Sequence, residues 1–130
     1  MKSTVLLFLL LIGISSCIVE VELDPPYIEI GNLNEYETKE VIHEIWSGGV
    51  LIYEEAVYYT WLDIEFQNRG GLRAENISAE VIFYDGNREI RTLTIYIPDI
   101  RSGYSYNYTL DTGFESMYDY SDYEVNVNWE

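Results

Sequence analysis

Residues 61–87 read WLDIEFQNRGGLRAENISAEVIFYDGN, and they contain two runs in which apolar and polar side chains alternate. The apolar positions of the two runs are Leu62, Ile64 and Phe66, and then Ile77, Ala79, Val81 and Phe83. A period of two residues is typical of β-strands with one face in the core and the other in solvent. The pattern predicts two long antiparallel strands joined by an irregular crossover.

Upstream of this pair the chain continues with strand-like runs. Residues 57–67 form the first long strand, and residues 40–46 and 50–53 flank Ser47-Gly48-Gly49, a strong turn signal. Residues 35–45, EYETKEVIHEI, also fit a helix because they include good helix formers with apolar side chains at helical spacing. We favour the strand and keep the helix as the alternative.

Downstream of the pair, Asp85-Gly86-Asn87 is a hairpin turn, and further alternating runs cover residues 91–97, 104–110 and 123–129. About seven short strands separated by turns predict an all-β protein. The expected architecture is an antiparallel, immunoglobulin-like β-sandwich preceded by a signal peptide.

The first 17 residues carry an export signal. Lys2 precedes the apolar run 5–14, which is about half of the ~20 residues that cross a bilayer, so a signal peptide is favoured over a membrane span. The motif Ile14-Ser15-Ser16-Cys17 resembles the lipobox of bacterial lipoprotein precursors. That resemblance implies cleavage before Cys17, a diacylglyceryl thioether on its sulfur and usually an acylated amino terminus.

Cys17 is the only cysteine of the chain, so it has no intramolecular disulfide partner. Two or three acyl chains, palmitate among them, would make a lasting anchor, whereas one would be marginal. An ordinary signal peptide with a chance cysteine is the alternative. We therefore divide the chain into a lipoprotein signal peptide (residues 1–16), a tether or added edge strand (residues 17–39) and the sandwich (residues 40–130).

The chain is strongly acidic, with 23 Asp and Glu residues against seven Lys and Arg residues and a formal charge of −16. Removing residues 1–16 removes Lys2 and leaves a charge of −17, from six basic and 23 acidic residues. Because phosphate binding needs positive charge, nucleic acid is excluded as a partner. Anionic lipids would also repel the domain, so the lipid on Cys17 must hold it at the membrane.

The stretch from about residue 40 to the end resembles the immunoglobulin-like, fibronectin-like adhesion modules called CARDB or FxLYD domains. Residues 66–70, FQNRG, are similar to their strand-ending V-x-N-x-G motif, and residues 74–77 and 81–86, AENI and VIFYDG, to A-x-N-V and F-Y-D-x-G. Residues 100–106, IRSGYSY, look like L-x-P-G-x-x-Y. The resemblance implies binding, spacing or assembly, with no catalytic residues.

In such sandwiches a tyrosine hydroxyl bonds an upstream backbone carbonyl and locks the corner between the sheets. Tyr106 is the candidate here. We expect its ring in the core and its hydroxyl on a carbonyl near Ile100.

The chain lacks the parts of common catalytic sites. His43 is the only histidine, and no cysteine remains free if Cys17 is acylated, so zinc or copper sites and cysteine nucleophiles lack their parts, and we expect no enzyme activity. Oxygen ligands suit calcium better, and four carboxylates cluster between the last two strands. These candidate calcium ligands are Asp111, Glu115, Asp119 and Asp122.

The same loop, residues 111–123, is rich in tyrosine and resembles a paratope in composition. Its candidate ligand-binding side chains are Tyr118, Tyr120 and Tyr123. A tyrosine cluster that caps the core is the alternative reading of these residues.

Together these features predict a membrane-anchored, non-enzymatic lipoprotein on the extracytoplasmic side of a cell membrane or outer membrane. Its module would serve protein or glycan interaction, or envelope assembly. A small sugar- or calcium-binding lipoprotein that uses residues 111–123 is the second hypothesis. No cofactor is expected beyond the covalent lipid and, under the second hypothesis, calcium.

Overall fold

The structure, a computed structural model, describes residues 3–9 and 17–130, with side chains described from Leu23 onward. Its strands are β1 (Ser3–Leu9), β2 (Cys17–Leu23), β3 (Ile28–Ser47), β4 (Val50–Asn68), β5 (Ile77–Asp85), β6 (Arg88–Ile97), β7 (Ser105–Asp111) and β8 (Asp122–Asn128). One short 3₁₀ helix, Met117–Asp119, precedes β8. Within these described residues, no helix is long and apolar enough to cross a membrane.

Six of the strands form two three-stranded antiparallel sheets, in the orders β3-β4-β7 and β6-β5-β8. The predicted all-β, antiparallel sandwich is confirmed. The helix considered for residues 35–45 is wrong, because β3 runs through them as a strand. Strand β3 also runs through the predicted boundary between residues 39 and 40.

The stretch that carries the alternating pattern supplies the middle strand of each sheet. Strands β4 and β5 do not pair with each other; they lie in different sheets. Their predicted apolar faces are confirmed as the core, in which the buried side chains are Leu62, Ile64, Phe66, Ile77, Ala79, Val81 and Phe83. The apolar residues of each alternating run therefore lie on the face of their sheet that packs against the other sheet.

Asn68, the last residue of β4, locks the corner between the sheets. Its amide is 1% exposed; Nδ2 donates to the carbonyls of Leu72 at 2.8 Å and Ile100 at 2.9 Å. Its Oδ1 accepts hydrogen bonds from the backbone N–H of Tyr27 at 3.3 Å and of Gly70 at 2.9 Å. One side chain thus holds the N-terminal segment, the loop after β4 and the segment before β7.

The expectation for Tyr106 needs correction. Tyr106 lies opposite Phe66 in the register, on the predicted face, but its ring is 38% exposed because β7 is an edge strand. Among the described residues its hydroxyl has no hydrogen-bond partner, and the Ile100 carbonyl is bound by Asn68 instead. The corner is locked by a buried amide rather than by a tyrosine.

The segment before β3 is fixed to the same end of the sandwich. Arg69 N–H donates to the Tyr27 carbonyl at 2.8 Å, and Trp129 Nε1 donates to the Pro26 carbonyl at 2.9 Å. Gly70 permits this close approach, since a Cβ there would lie 2.1 Å from the Pro25 carbonyl oxygen. The chain therefore enters the sandwich beside the end of β4.

The two N-terminal strands form a sheet of their own. Strand β1 pairs only with β2, in a separate two-stranded sheet. Of the predicted signal peptide, residues 1–2 and 10–16 lie outside the described residues, and these include the Ile14-Ser15-Ser16 part of the lipobox. The backbone of Cys17 begins β2.

Candidate interaction surfaces

Tyr120 belongs to the core and not to a binding surface. It is 7% exposed, and its ring centroid lies 4.9 Å from that of Phe83 and 5.1 Å from that of Phe114. Its hydroxyl donates to the carboxylate of Glu35 on β3. Burial, followed by this hydrogen bond, raises the pKa of Tyr120 far above its usual range.

The other two predicted tyrosines differ in burial. Tyr123 is half-buried against Phe83, with 5.9 Å between ring centroids, and burial raises the pKa of its hydroxyl. Tyr118 is 93% exposed on the 3₁₀ helix. The loop therefore does not gather Tyr118, Tyr120 and Tyr123 into one patch, and two of the three cap the core.

The carboxylates of this loop are used in its own turns. Asp119 accepts a hydrogen bond from the Ser116 N–H at 3.0 Å, in a capping box that starts the 3₁₀ helix. Asp111 accepts from the Gly113 N–H at 2.9 Å, and Asp122 from the Tyr123 N–H at 2.8 Å.

Glu115, the fourth candidate calcium ligand, is exposed. In the part of the chain that the structure describes, no group of three or more His, Cys, Asp or Glu residues is placed to hold a metal ion. The fold therefore does not bring Asp111, Glu115, Asp119 and Asp122 together as a calcium site.

Most of the exposed large hydrophobic side chains of residues 23–130 lie elsewhere, on residues 38–59 of β3 and β4, which we call the arm. In these residues the two strands pair with each other, whereas β7 pairs with β4 only from Trp61 to Gln67. The arm therefore extends beyond the sandwich as a two-stranded ribbon. Its exposed large hydrophobic side chains are Val41, Ile42, Ile45, Trp46, Val50, Leu51, Ile52, Tyr53 and Tyr58.

The tip of the arm is a tight hairpin without charge. Gly48 and Gly49, at φ of 59° and 81°, form the two-residue turn that the Ser47-Gly48-Gly49 signal predicted. Residues 45–53, IWSGGVLIY, hold no charged side chain, and Glu44 and Glu54 flank them. Six of these nine residues are large and exposed apolar side chains.

The 111–123 loop supports the base of the arm. Glu37 accepts hydrogen bonds from the Met117 N–H at 2.8 Å and from the Ser116 hydroxyl at 3.1 Å. The neighbouring Glu35 accepts from Tyr120. The residues singled out as a binding loop therefore hold the strand from which the arm extends.

Sequence reasoning missed the arm as a surface. The signal that could have found it is the uncharged run between Glu44 and Glu54, which is too apolar for a solvated hairpin tip. No family model, curated protein or solved structure matches this chain.

Proposed function

We propose that the protein is a membrane-anchored, non-enzymatic lipoprotein of the cell envelope. Its sandwich is a module for protein or glycan interaction or for envelope assembly, and the arm is its binding element. The lipid on Cys17 holds the domain at the extracytoplasmic face of the membrane, because an acidic domain is not attracted to anionic lipids.

The observation that carries the proposal is the position of the arm relative to the predicted anchor. Strand β3 starts at Ile28, beside the end of β4, and ends at Ser47 in the tip of the arm. Twenty residues of strand span roughly 60 Å at about 3.3 Å per residue. The lipid attachment and the apolar tip therefore lie towards opposite ends of one strand.

The length of the tether limits how the domain can stand on a membrane. The Asp24 carbonyl accepts a hydrogen bond from the Gly71 N–H at 3.2 Å, and the predicted cleavage before Cys17 removes β1, with which β2 pairs, so the free tether is residues 17–23. Even fully extended, seven residues reach about 25 Å, less than half the length of β3. A domain tethered in this way cannot press its tip head-on into the same bilayer, so the arm is held out towards other envelope components.

Metabolic labelling with palmitate tests the anchor. The wild-type chain should incorporate label and fractionate with membranes, whereas Cys17→Ser should incorporate none and stay uncleaved or be released. Wild-type chain that takes up no palmitate would contradict the anchored reading.

Cysteine labelling of intact cells tests the display of the arm. Ser47→Cys, at the tip, should react with a membrane-impermeant maleimide, while Cys17 does not react because its sulfur is acylated. Ala79→Cys is the matched control, since this position is 0% exposed in the core. Labelling of Ser47→Cys only after permeabilisation would place the arm on the wrong side of the membrane.

A further inference from the structure

The arm has the properties of a surface that another polypeptide covers. A two-stranded hairpin is at best marginally stable alone in water. This one also exposes nine large apolar side chains, and large exposed apolar surfaces mark interaction sites. Among the described strands, residues 38–47 of β3 pair only with β4, so the outer backbone groups of this segment are free to pair with another strand.

The charge pattern of this edge is self-complementary. Residues 39–44 read Lys-Glu-Val-Ile-His-Glu. Set antiparallel to a second copy of itself, the segment places Lys39 opposite Glu44, Glu40 opposite His43 and Val41 opposite Ile42. Opposite charges in directly facing positions stabilise strand pairs, and like charges destabilise them.

A β-bulge makes this pairing compatible with the pleat. Facing residues of antiparallel strands must point to the same side of the sheet, and positions 39 and 44 would ordinarily point to opposite sides. The extra residue Ile42 reverses the alternation, because Val41 faces Ala56 while His43 faces Glu55.

The register between β3 and β4 shows which side chains of β3 point to the same side of the sheet. Lys39 faces Tyr58 and Glu44 faces Glu54, and positions 58 and 54 lie on one side of β4. By the same register Glu40 and His43 share the other side, since they face positions 57 and 55.

We propose that two copies of this chain associate through their arms. The β3 strands pair antiparallel about a two-fold axis that passes between Val41 and Ile42. The proposal rests on the role of the arm as a binding element, but the palmitate and maleimide experiments above report anchoring and display independently of pairing.

The proposed pairing between the two copies extends over the whole β3 part of the arm. In this register Ser47 of one copy faces Tyr36 of the other, and Tyr36 is where β3 meets the sandwich, opposite Trp61. The tip of each arm therefore ends at the base of the other arm. Ile45 and Trp46 come to face Thr38 and Glu37 of the second copy, so the uncharged tips gain partners.

The pairing also relieves a repulsion within each arm. Glu44 and Glu54 face each other on one side of the hairpin, and Lys39 contacts Glu54. In the pair of arms, Lys39 of the second copy faces Glu44. Each lysine then lies beside two carboxylates, which offsets a like-charge cross-strand pair.

Charge reversal on the full-length chain, in nonionic detergent, tests the register. Sedimentation velocity over a concentration series should show a monomer–dimer equilibrium for the wild type. Lys39→Glu and Glu44→Lys should each weaken dimerisation about tenfold, because each creates two like-charged facing pairs. The double variant Lys39→Glu/Glu44→Lys restores both opposite-charge pairs and should return the dissociation constant to about the wild-type value.

The variants distinguish an effect of the facing charges on dimerisation from an effect of net charge and from damage to the arm. An effect of net charge alone would make Lys39→Glu and Glu44→Lys act in opposite directions. Arg101→Glu makes the same charge change as Lys39→Glu on an exposed loop, and it should leave dimerisation unchanged. Glu44→Lys keeps Lys39 and turns the facing pair of Glu44 and Glu54 within the arm into an opposite-charge pair, so damage to the arm does not explain weaker dimerisation of that variant.

Three results would overturn the proposal. They are a wild type that is monomeric at every concentration, a Glu44→Lys variant that dimerises more tightly, and a double variant that stays as weak as the single ones. Binding of a monomeric wild type to phosphatidylcholine vesicles, abolished by Trp46→Ser, would identify a lipid surface as the occupant of the arm and would also refute pairing.

Discussion

Replacing Asn68 with alanine should destabilise the protein more than replacement of any other asparagine. The side chain is 1% exposed and makes four hydrogen bonds, all to backbone groups of segments distant from β4 or just beyond its end. Alanine removes all four at once. The Ile100 carbonyl then keeps the hydrogen bond from the Ala74 N–H, at 2.9 Å, but loses the one from the Asn68 amide.

The magnitude follows from the burial of each partner. Each lost hydrogen bond costs about 1 kcal/mol, because three of the four partner groups are partly buried and can recover water, and the Ile100 carbonyl keeps its bond from the Ala74 N–H. The expected loss in free energy of unfolding is therefore about 4 kcal/mol. Small domains are stable by roughly 5–15 kcal/mol, so the variant should be at the limit of folding.

Urea unfolding followed by tryptophan fluorescence measures this loss, and circular dichroism at each urea concentration checks that the transition is two-state. Asn126→Ala on β8 is the matched control, because Asn126 is exposed and its replacement should stay within about 0.5 kcal/mol. A loss at Asn68 below about 1 kcal/mol, or one equal to that at Asn126, would refute the corner-locking role.

Four other outcomes are expected. Tyr106→Phe should change the stability by less than about 0.5 kcal/mol in the same urea assay, since its hydroxyl has no partner in the described chain; a loss above 1 kcal/mol would restore the tyrosine corner. Tyr120→Phe should cost about 1–3 kcal/mol at pH 7 through loss of the hydrogen bond to Glu35. Because the pKa of Tyr120 is raised on folding, the wild type should lose stability as the pH rises above about 10, where the unfolded tyrosine ionises, and a Tyr120→Phe variant with an equally steep loss would contradict this. The domain should not bind duplex DNA at ~50 mM salt in fluorescence anisotropy, and micromolar affinity there would disprove the argument from charge.

At the corner between the two sheets, the sequence motifs predicted the position correctly but not the residue that makes the hydrogen bond. The sequence indicated both the strand end at Asn68 and the acceptor near Ile100, but it assigned the hydrogen bond to Tyr106. Tyr106 lies near the start of an edge strand, which leaves its side chain partly in solvent even on the core-facing side, and edge position depends on the sheet order, not on the alternation.

The 111–123 loop shows a second limit. Its composition predicted a patch of tyrosines and carboxylates, yet Tyr120 packs on Phe83 and its hydroxyl reaches Glu35, 85 residues earlier in the chain. A local sequence pattern spans only a few residues, so it cannot identify a hydrogen-bond partner 85 residues away. Composition could therefore identify the residues of the loop but not which of them are buried.

The sequence by itself determined the all-β class, the core faces of β4 and β5, the glycine turn at the tip of the arm and the acidic surface. These follow from local periodicity, turn chemistry and counting, which need no knowledge of neighbours. Only the tertiary structure decided that β4 and β5 lie in different sheets, that Asn68 holds the corner and that the arm extends beyond the sandwich. The arm is exposed because β7 pairs with β4 only from Trp61 onward, and where one strand stops pairing with another is fixed by contacts between residues about 50 positions apart in the chain.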